Sequence, residues 1–264
     1  MKSHGGHPTS STLGFGNKVQ IYFQWNVGVT AASATITVEG DTATADTVCC
    51  SRWDDQSPNG NHATQAVDEN KPVMTADNAL DFQNQGGEAG PDDDGFADMM
   101  DIGSGGAGFR VEVNNDFLSF IVCKPHSTAT SCYLSDSGGE VLEFKTQNIH
   151  RFKAGGSSTE MEHNANGGIQ CPNNELMLIC VHRVDLDTGT MNFYKNGFKM
   201  TGTAPTNPAL FDIKNLGSKN DTSNFMDGLI YDCGLIEATV TDDQRIKIED
   251  YLMAKHGIER DSNI

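Results

Sequence analysis

Apolar side chains come in short runs along the chain, broken every few residues by Gly, Asn, Asp, Ser or Thr, a pattern of strands joined by turns. Two runs, Phe117–Pro125 and residues 176–182, stay apolar without alternation, which predicts central strands buried on both faces. Briefer segments at 19–25, 35–39, 79–82, 141–144 and 149–153 fit an antiparallel sheet, and 184–194 reads as strand, turn, strand. Asn196-Gly197 then marks a tight hairpin, since both residues tolerate positive φ. The period changes only near the end. Ile248, Tyr251, Leu252 and Lys255 recur at helical spacing, Thr241 and Gln244 form a capping box, and Gly257 can close the turn, so one amphipathic helix is expected over 241–256. The pattern is all-β and antiparallel, with a single C-terminal helix.

A length of 264 residues with 37% hydrophobic and 20% charged side chains suits one domain with a real core. Residues 1–18 are rich in Gly, Ser, Thr and His and read as a flexible N-terminal arm, with the domain over 19–258 and a short tail at 259–264. The formal charge of −18 repels phosphates and anionic lipid, which argues against nucleic-acid and membrane partners. Lys2 is not followed by an apolar stretch and no run approaches ~18 apolar residues, so neither a signal peptide nor a membrane span is expected. The seven cysteines are an odd set without zinc-ligand spacing. Most are expected to be reduced, with Cys123 and Cys180 as small core side chains; the adjacent Cys49 and Cys50 carry no clear role.

The segment 51–65 is dense in residues that turn a backbone. Asp55, Ser57, Asn59 and Gly60 match the opening of a calcium loop, with oxygens at alternate positions and a glycine at the bend. The match stops at Ala66, where a bidentate Glu is needed. An Asx-type structural turn anchored by Trp53 explains the same residues, leaving Asp55, Ser57 and Asn59 as a candidate metal set and Ca²⁺ as the one cofactor the pattern allows, though none is required. Four carboxylates between Glu88 and Asp94 read as a solvated loop, and Asp185-Leu186-Asp187-Thr188-Gly189 as a turn with backbone needs alone.

The order of these motifs resembles the concanavalin A-like, laminin-G-like jelly-roll superfamily, and within it a subgroup common in tailed-bacteriophage virion proteins and bacterial surface proteins. The resemblance covers roughly residues 19–258 and rests on the loop from Trp53 to Gln65, Lys71-Pro72, Leu80-Asp81-Phe82, Phe117–Pro125, the Asn192 to Gly197 hairpin, Asn215-Leu216-Gly217, the run Phe225 to Asp232, and the terminal helix through Ile258. Pro58 stands where the subgroup usually has Gly, and Gln83 where Gly often follows Phe82. The resemblance implies an antiparallel two-sheet jelly-roll sandwich. It further implies a non-catalytic virion structural protein on the particle surface, decorating a capsid or attached to a tail; the flexible arm, which has no counterpart in the subgroup, is expected to contact other virion proteins or a second copy.

Hydrolases of this superfamily present paired carboxylates on one strand face, and no Glu-x-Asp-x-x-Glu run occurs here. Glu140 with Glu143 and Glu160 with Glu162 lack the intervening Asp, and Glu140 and Glu143 point to opposite faces. No catalytic residue is assigned. His182 lies in a core strand pattern and reads as structural. A lectin-like alternative places a host-surface glycan against Trp53, Asp54, Asn59, Asn61 and Trp25, an aromatic ring stacking on the sugar and polar groups bonding its hydroxyls. The residues expected to be architectural are Trp53, Asp55, Gly60, Asn196, Gly197, Thr241, Gln244, Tyr251 and Gly257.

Overall fold

The computed structural model describes residues 19–24, 48–67, 70–75, 79–82, 98–103, 110–126, 130–136, 139–146, 149–155, 157–162, 173–200, 206–219 and 224–261. The arm at 1–18, Trp25, the predicted strand at 35–39, the acidic stretch from Glu88 to Asp94 and the last three residues of the tail lie outside them.

Two large antiparallel sheets face one another. The larger runs Phe198–Lys199, Thr190–Lys195, Met177–Asp185, Phe117–Pro125, Gly228–Glu237, Leu80–Phe82, Val73–Met74, Val48–Cys49, with Val19–Gln24 also paired to Gly228–Glu237. The smaller runs Ser157–Glu162, Ile149–Ala154, Glu140–Thr146, Ser131–Asp136, Asn215–Leu216, Met100–Ile102, Ala63–Thr64, Arg52–Trp53. A two-stranded ribbon, Val111–Val113 with Phe211–Ile213, joins them, and the described residues form an all-β sandwich with one C-terminal helix. No helix among the described residues is long and apolar enough to cross a membrane.

The continuous apolar runs have a layered explanation. Along Phe117–Pro125, Phe117, Ile121 and Cys123 enter the core between the sheets, while Leu118, Phe120 and Val122 enter a second core on the other side. Ile179 and Val181 against Leu178 and Cys180 repeat the division on Met177–Asp185. Helix Asp242–His256 roofs that second core with Ile248, Leu252 and Met253, and Tyr251 packs at its edge. Both faces of these strands are therefore dry, and alternation is lost from the sequence. In the smaller sheet, Ile149–Ala154 alternates strictly between buried and half-buried positions.

Turns and caps follow local chemistry. Thr241 accepts from the Gln244 backbone N–H while the Gln244 side chain reaches back to Thr241 N, and Gly257 ends the helix at φ 67°. Asn196 and Gly197 turn the hairpin at φ 46° and 74°. Gly217 sits where a Cβ would lie 2.4 Å from the Phe82 ring, which couples Leu80-Asp81-Phe82 to Asn215-Leu216-Gly217 in space.

The helix is also held by charge. Asp232, fully buried on Gly228–Glu237, accepts from Lys255 Nζ at 2.8 and 2.9 Å and meets His256 Nε2 at 2.5 Å. Beyond the helix, Arg260 donates to the Gly197 carbonyl and to Asp250, and the Asp261 N–H donates to the Asn196 carbonyl. The described cysteines, Cys50, Cys123, Cys132, Cys180 and Cys233, are all buried free thiols, and burial pushes Cys132, Cys180 and Cys233 up in pKa. Cys49 and Cys171 carry no described side chain.

Candidate functional site

The loop after Arg52–Trp53 is built around one carboxylate. Asp55 is 6% exposed. Its Oδ1 accepts from Ser57 N at 2.8 Å, and its Oδ2 accepts from the Ser57 hydroxyl at 2.5 Å and Asn61 N at 2.8 Å. Ser57 Oγ in turn accepts from Asn59 N at 3.2 Å, and Gly60 takes φ 65° where the chain reverses. This is an Asx turn extended by one more amide. Both oxygens of Asp55 face N–H and O–H donors of their own loop, a surrounding opposite in polarity to the oxygen cage a calcium ion needs. Of the three residues of the metal candidate, Asp55 and Ser57 are buried and bonded to each other, and Asn59 is exposed.

Trp53 is 2% exposed and belongs to the core between the sheets. Its ring presents no face on which a sugar can stack. Asn61 is buried, with its backbone N–H committed to Asp55. What the loop shows to solvent is Arg52, bonded to Asp54 at 2.7 Å, together with Pro58 and Asn59. Of the five glycan candidates, only Asp54 and Asn59 thus stand at the surface of the described structure, and Trp25 lies outside the described residues.

A second cluster forms where three elements end together. Asp136 and Glu140 face each other across the Ser131–Asp136/Glu140–Thr146 hairpin, and Asp212 of the ribbon joins them. One carboxylate oxygen from each lies within 4.8 Å of the others. Glu140 Oε2 accepts from Asp212 N at 2.6 Å, and burial, followed by the two neighbouring carboxylates, raises its pKa. Arg110 spans the group, 3.3 Å from Asp136 and 3.4 Å from Asp212. The guanidinium offsets part of the negative charge of the three carboxylates, and Arg110 and Asp212 remain partly open to solvent. Sequence reasoning paired Glu140 with Glu143 instead. Glu143 is buried on the opposite face of the strand, bonded to Arg151. The signal for Asp136 was its place directly across a tight hairpin from Glu140; Arg110 and Asp212 left none, because they reach the cluster from distant segments.

A third group gathers at a rim of the larger sheet, where His126 Nδ1 lies 3.9 Å from both Asp81 and Asp227. All three side chains are partly open to solvent.

No protein-family model matches the chain, and no curated protein sequence matches it. Solved structures do. The receptor-binding domain of a botulinum neurotoxin C/D mosaic serotype aligns with a TM-score of 0.56 at 9% identity, covering 89% of this chain and 52% of that one. The botulinum neurotoxin serotype D binding domain gives 0.55 at 8% identity, covering 90% and 53%. A botulinum neurotoxin type C structure, described by cell entry that depends on interaction with two ganglioside molecules, gives 0.51 at 11%, covering 89% and 51%. The chain spans about half the length of these structures, and at such identities the likeness is one of fold.

Proposed function

We propose that this chain is a non-catalytic, lectin-fold surface component of a tailed-bacteriophage particle. The observation that carries the proposal is that the two segments most specific to the resembled subgroup, the Trp53 to Gln65 loop and the terminal helix, both fold into architecture. Their polar groups are spent on backbone turns and on clamping the helix, so the signature describes a scaffold and not a reaction centre. The strong negative charge suits an exposed position that must resist nonspecific adhesion. Residues 1–18 are the proposed contact with other virion proteins or with a second copy. Mass spectrometry of purified particles tests the proposal: the protein is expected in intact particles in stoichiometric amounts, and its confinement to the soluble lysate would refute it.

Glycan recognition is the second reading, and the likeness to neurotoxin receptor-binding domains favours it. Because Trp53 is sealed in the core, such a site would use the outer rim of the loop, with Arg52, Asp54 and Asn59, in place of a stacking tryptophan there. Binding on a glycan array that is lost in Asp54→Ala and Asn59→Ala variants of unchanged melting temperature would support it, and silence of the array would remove it. Turnover of any polysaccharide by the purified protein would overturn the non-catalytic assignment common to both readings.

A further inference from the structure

On the face of the larger sheet that the helix covers, Met177–Asp185 carries one ionisable ring among apolar neighbours. His182 is 1% exposed; neither ring nitrogen makes a well-formed hydrogen bond, and the Val240 backbone, two residues before the helix, comes near enough to favour the charged ring. Its cross-strand neighbours are Leu118 and Asn192, which offer it no charge. The charges that act on it come from two directions: Arg245 and Asp242 from the first turns of the helix, and Asp116 from the residue before Phe117–Pro125. Arg245 cannot swing away freely. Its guanidinium stacks 3.7 Å over the Tyr194 ring, Nη1 bonds Glu249 at 2.6 Å, and Nε bonds Asp242 at 3.3 Å. The N-terminal end of the helix adds partial positive charge to the same side.

We infer that the terminal helix is an acid-released cover of the larger sheet, with His182 as the group that takes up the proton and Arg245 as the fixed cation that converts protonation into repulsion. A charged ring at this position has the Val240 backbone and the carboxylates of Asp242 and Asp116 to set against burial and Arg245, the two effects that prevail, and it regains water when the helix and the residues leading into it lift. Lifting exposes Leu118, Phe120, Leu178 and Cys180, which now pack against Ile248 and Leu252.

The direction of the pH effect follows from the ring's surroundings. Burial first, and Arg245 second, lower the His182 pKa from 6.5 to about 4. A ring released to solvent binds its proton near 6.5, so the cost of keeping it covered is absent above that pH, grows as pH falls below it, and levels off below about 4. Across that interval the ratio of covered to released helix falls about 300-fold. Glu249 acts in the opposite sense, since burial raises its pKa and protonation is then easier in the covered state. Variants that remove only the titration of His182 therefore isolate its effect.

Hydrogen exchange of the full chain, followed by mass spectrometry between pH 7 and pH 4.5 and corrected for intrinsic exchange, tests the inference. In the unaltered protein the helix peptide 242–256 should lose protection by up to tenfold per pH unit below about 6.5, while strand Glu140–Thr146 keeps its own. In His182→Gln and His182→Phe the helix protection should stay flat or, through Glu249, rise as pH falls over the same range, and either variant suffices if the other fails to fold. Three results would overturn the inference: helix protection independent of pH in the unaltered protein, a variant that follows the unaltered profile, or helix and strand losing protection together.

Discussion

Asp55 and Asp232 are both buried carboxylates that fasten an exposed element to the sandwich, yet they are satisfied in opposite ways. Asp55 receives two backbone N–H groups and one hydroxyl, all from residues no more than six positions away. Asp232 receives the side chains of Lys255 and His256, more than twenty positions away, on a different element. The first uses a charge to shape the chain around itself; the second uses a charge to bring two elements together. A turn made this way draws only on its own stretch of chain, whereas an interelement clamp exists only once the helix has docked.

The sharpest way to separate the two is to delete each carboxylate. Asp232→Ala strands the Lys255 ammonium against a dry sheet and should cost about 3–5 kcal/mol in denaturant unfolding. Pairing Asp232→Leu with Lys255→Met should restore much of that loss, because an ion pair can be exchanged for apolar packing. A double variant no more stable than Asp232→Ala would show that the clamp does more than fill space. Asp55→Ala should cost less, about 1–3 kcal/mol, by leaving buried donors without an acceptor, and no second substitution can rescue it since its main partners are backbone amides. Rescue of Asp55→Ala by a substitution at Ser57 would break the distinction.

Smaller still is the cap. Thr241→Ala should lower stability by about 1 kcal/mol, and hydrogen exchange should place the loss at the helix start, beside Arg245 and His182. At the bottom of the scale, calcium and chelator should leave the melting temperature unchanged, because the Asp55 oxygens already face donors; a rise with calcium would return the loop to the metal reading.

The same contrast governs how much could be read from the sequence. The Asp55 turn was legible because all its partners lie within one short stretch of Asx and Ser residues. The capping box, the Asn196-Gly197 hairpin and the two continuous strands were legible for that reason too, each being a local pattern with a local cause. The Asp232 clamp, the Arg110 cluster and the stacking of Arg245 on Tyr194 were not, since each depends on register between distant segments. The ribbon of Val111–Val113 with Phe211–Ile213 escaped notice because three residues are too few to establish a period. Trp53 shows the limit from the other side: its position beside a polar loop suggested either a core anchor or a sugar platform, and only the depth of its ring separates the two.

Strand Gly228–Glu237 has a consequence for synthesis. A shift in its pairing between Ile230 and Asp232 accompanies an edge shared by two segments, Leu80–Phe82 along its first part and Val19–Gln24 along the rest, while Phe117–Pro125 takes the other side. Three parts of the chain made early thus converge on one made late. On the ribosome, the middle of the larger sheet stays open until that strand emerges, and the apolar strands already made must wait with an unpaired edge. The open apolar edge therefore lasts until residue 237 leaves the exit tunnel, and closure of the larger sheet waits on Gly228–Glu237.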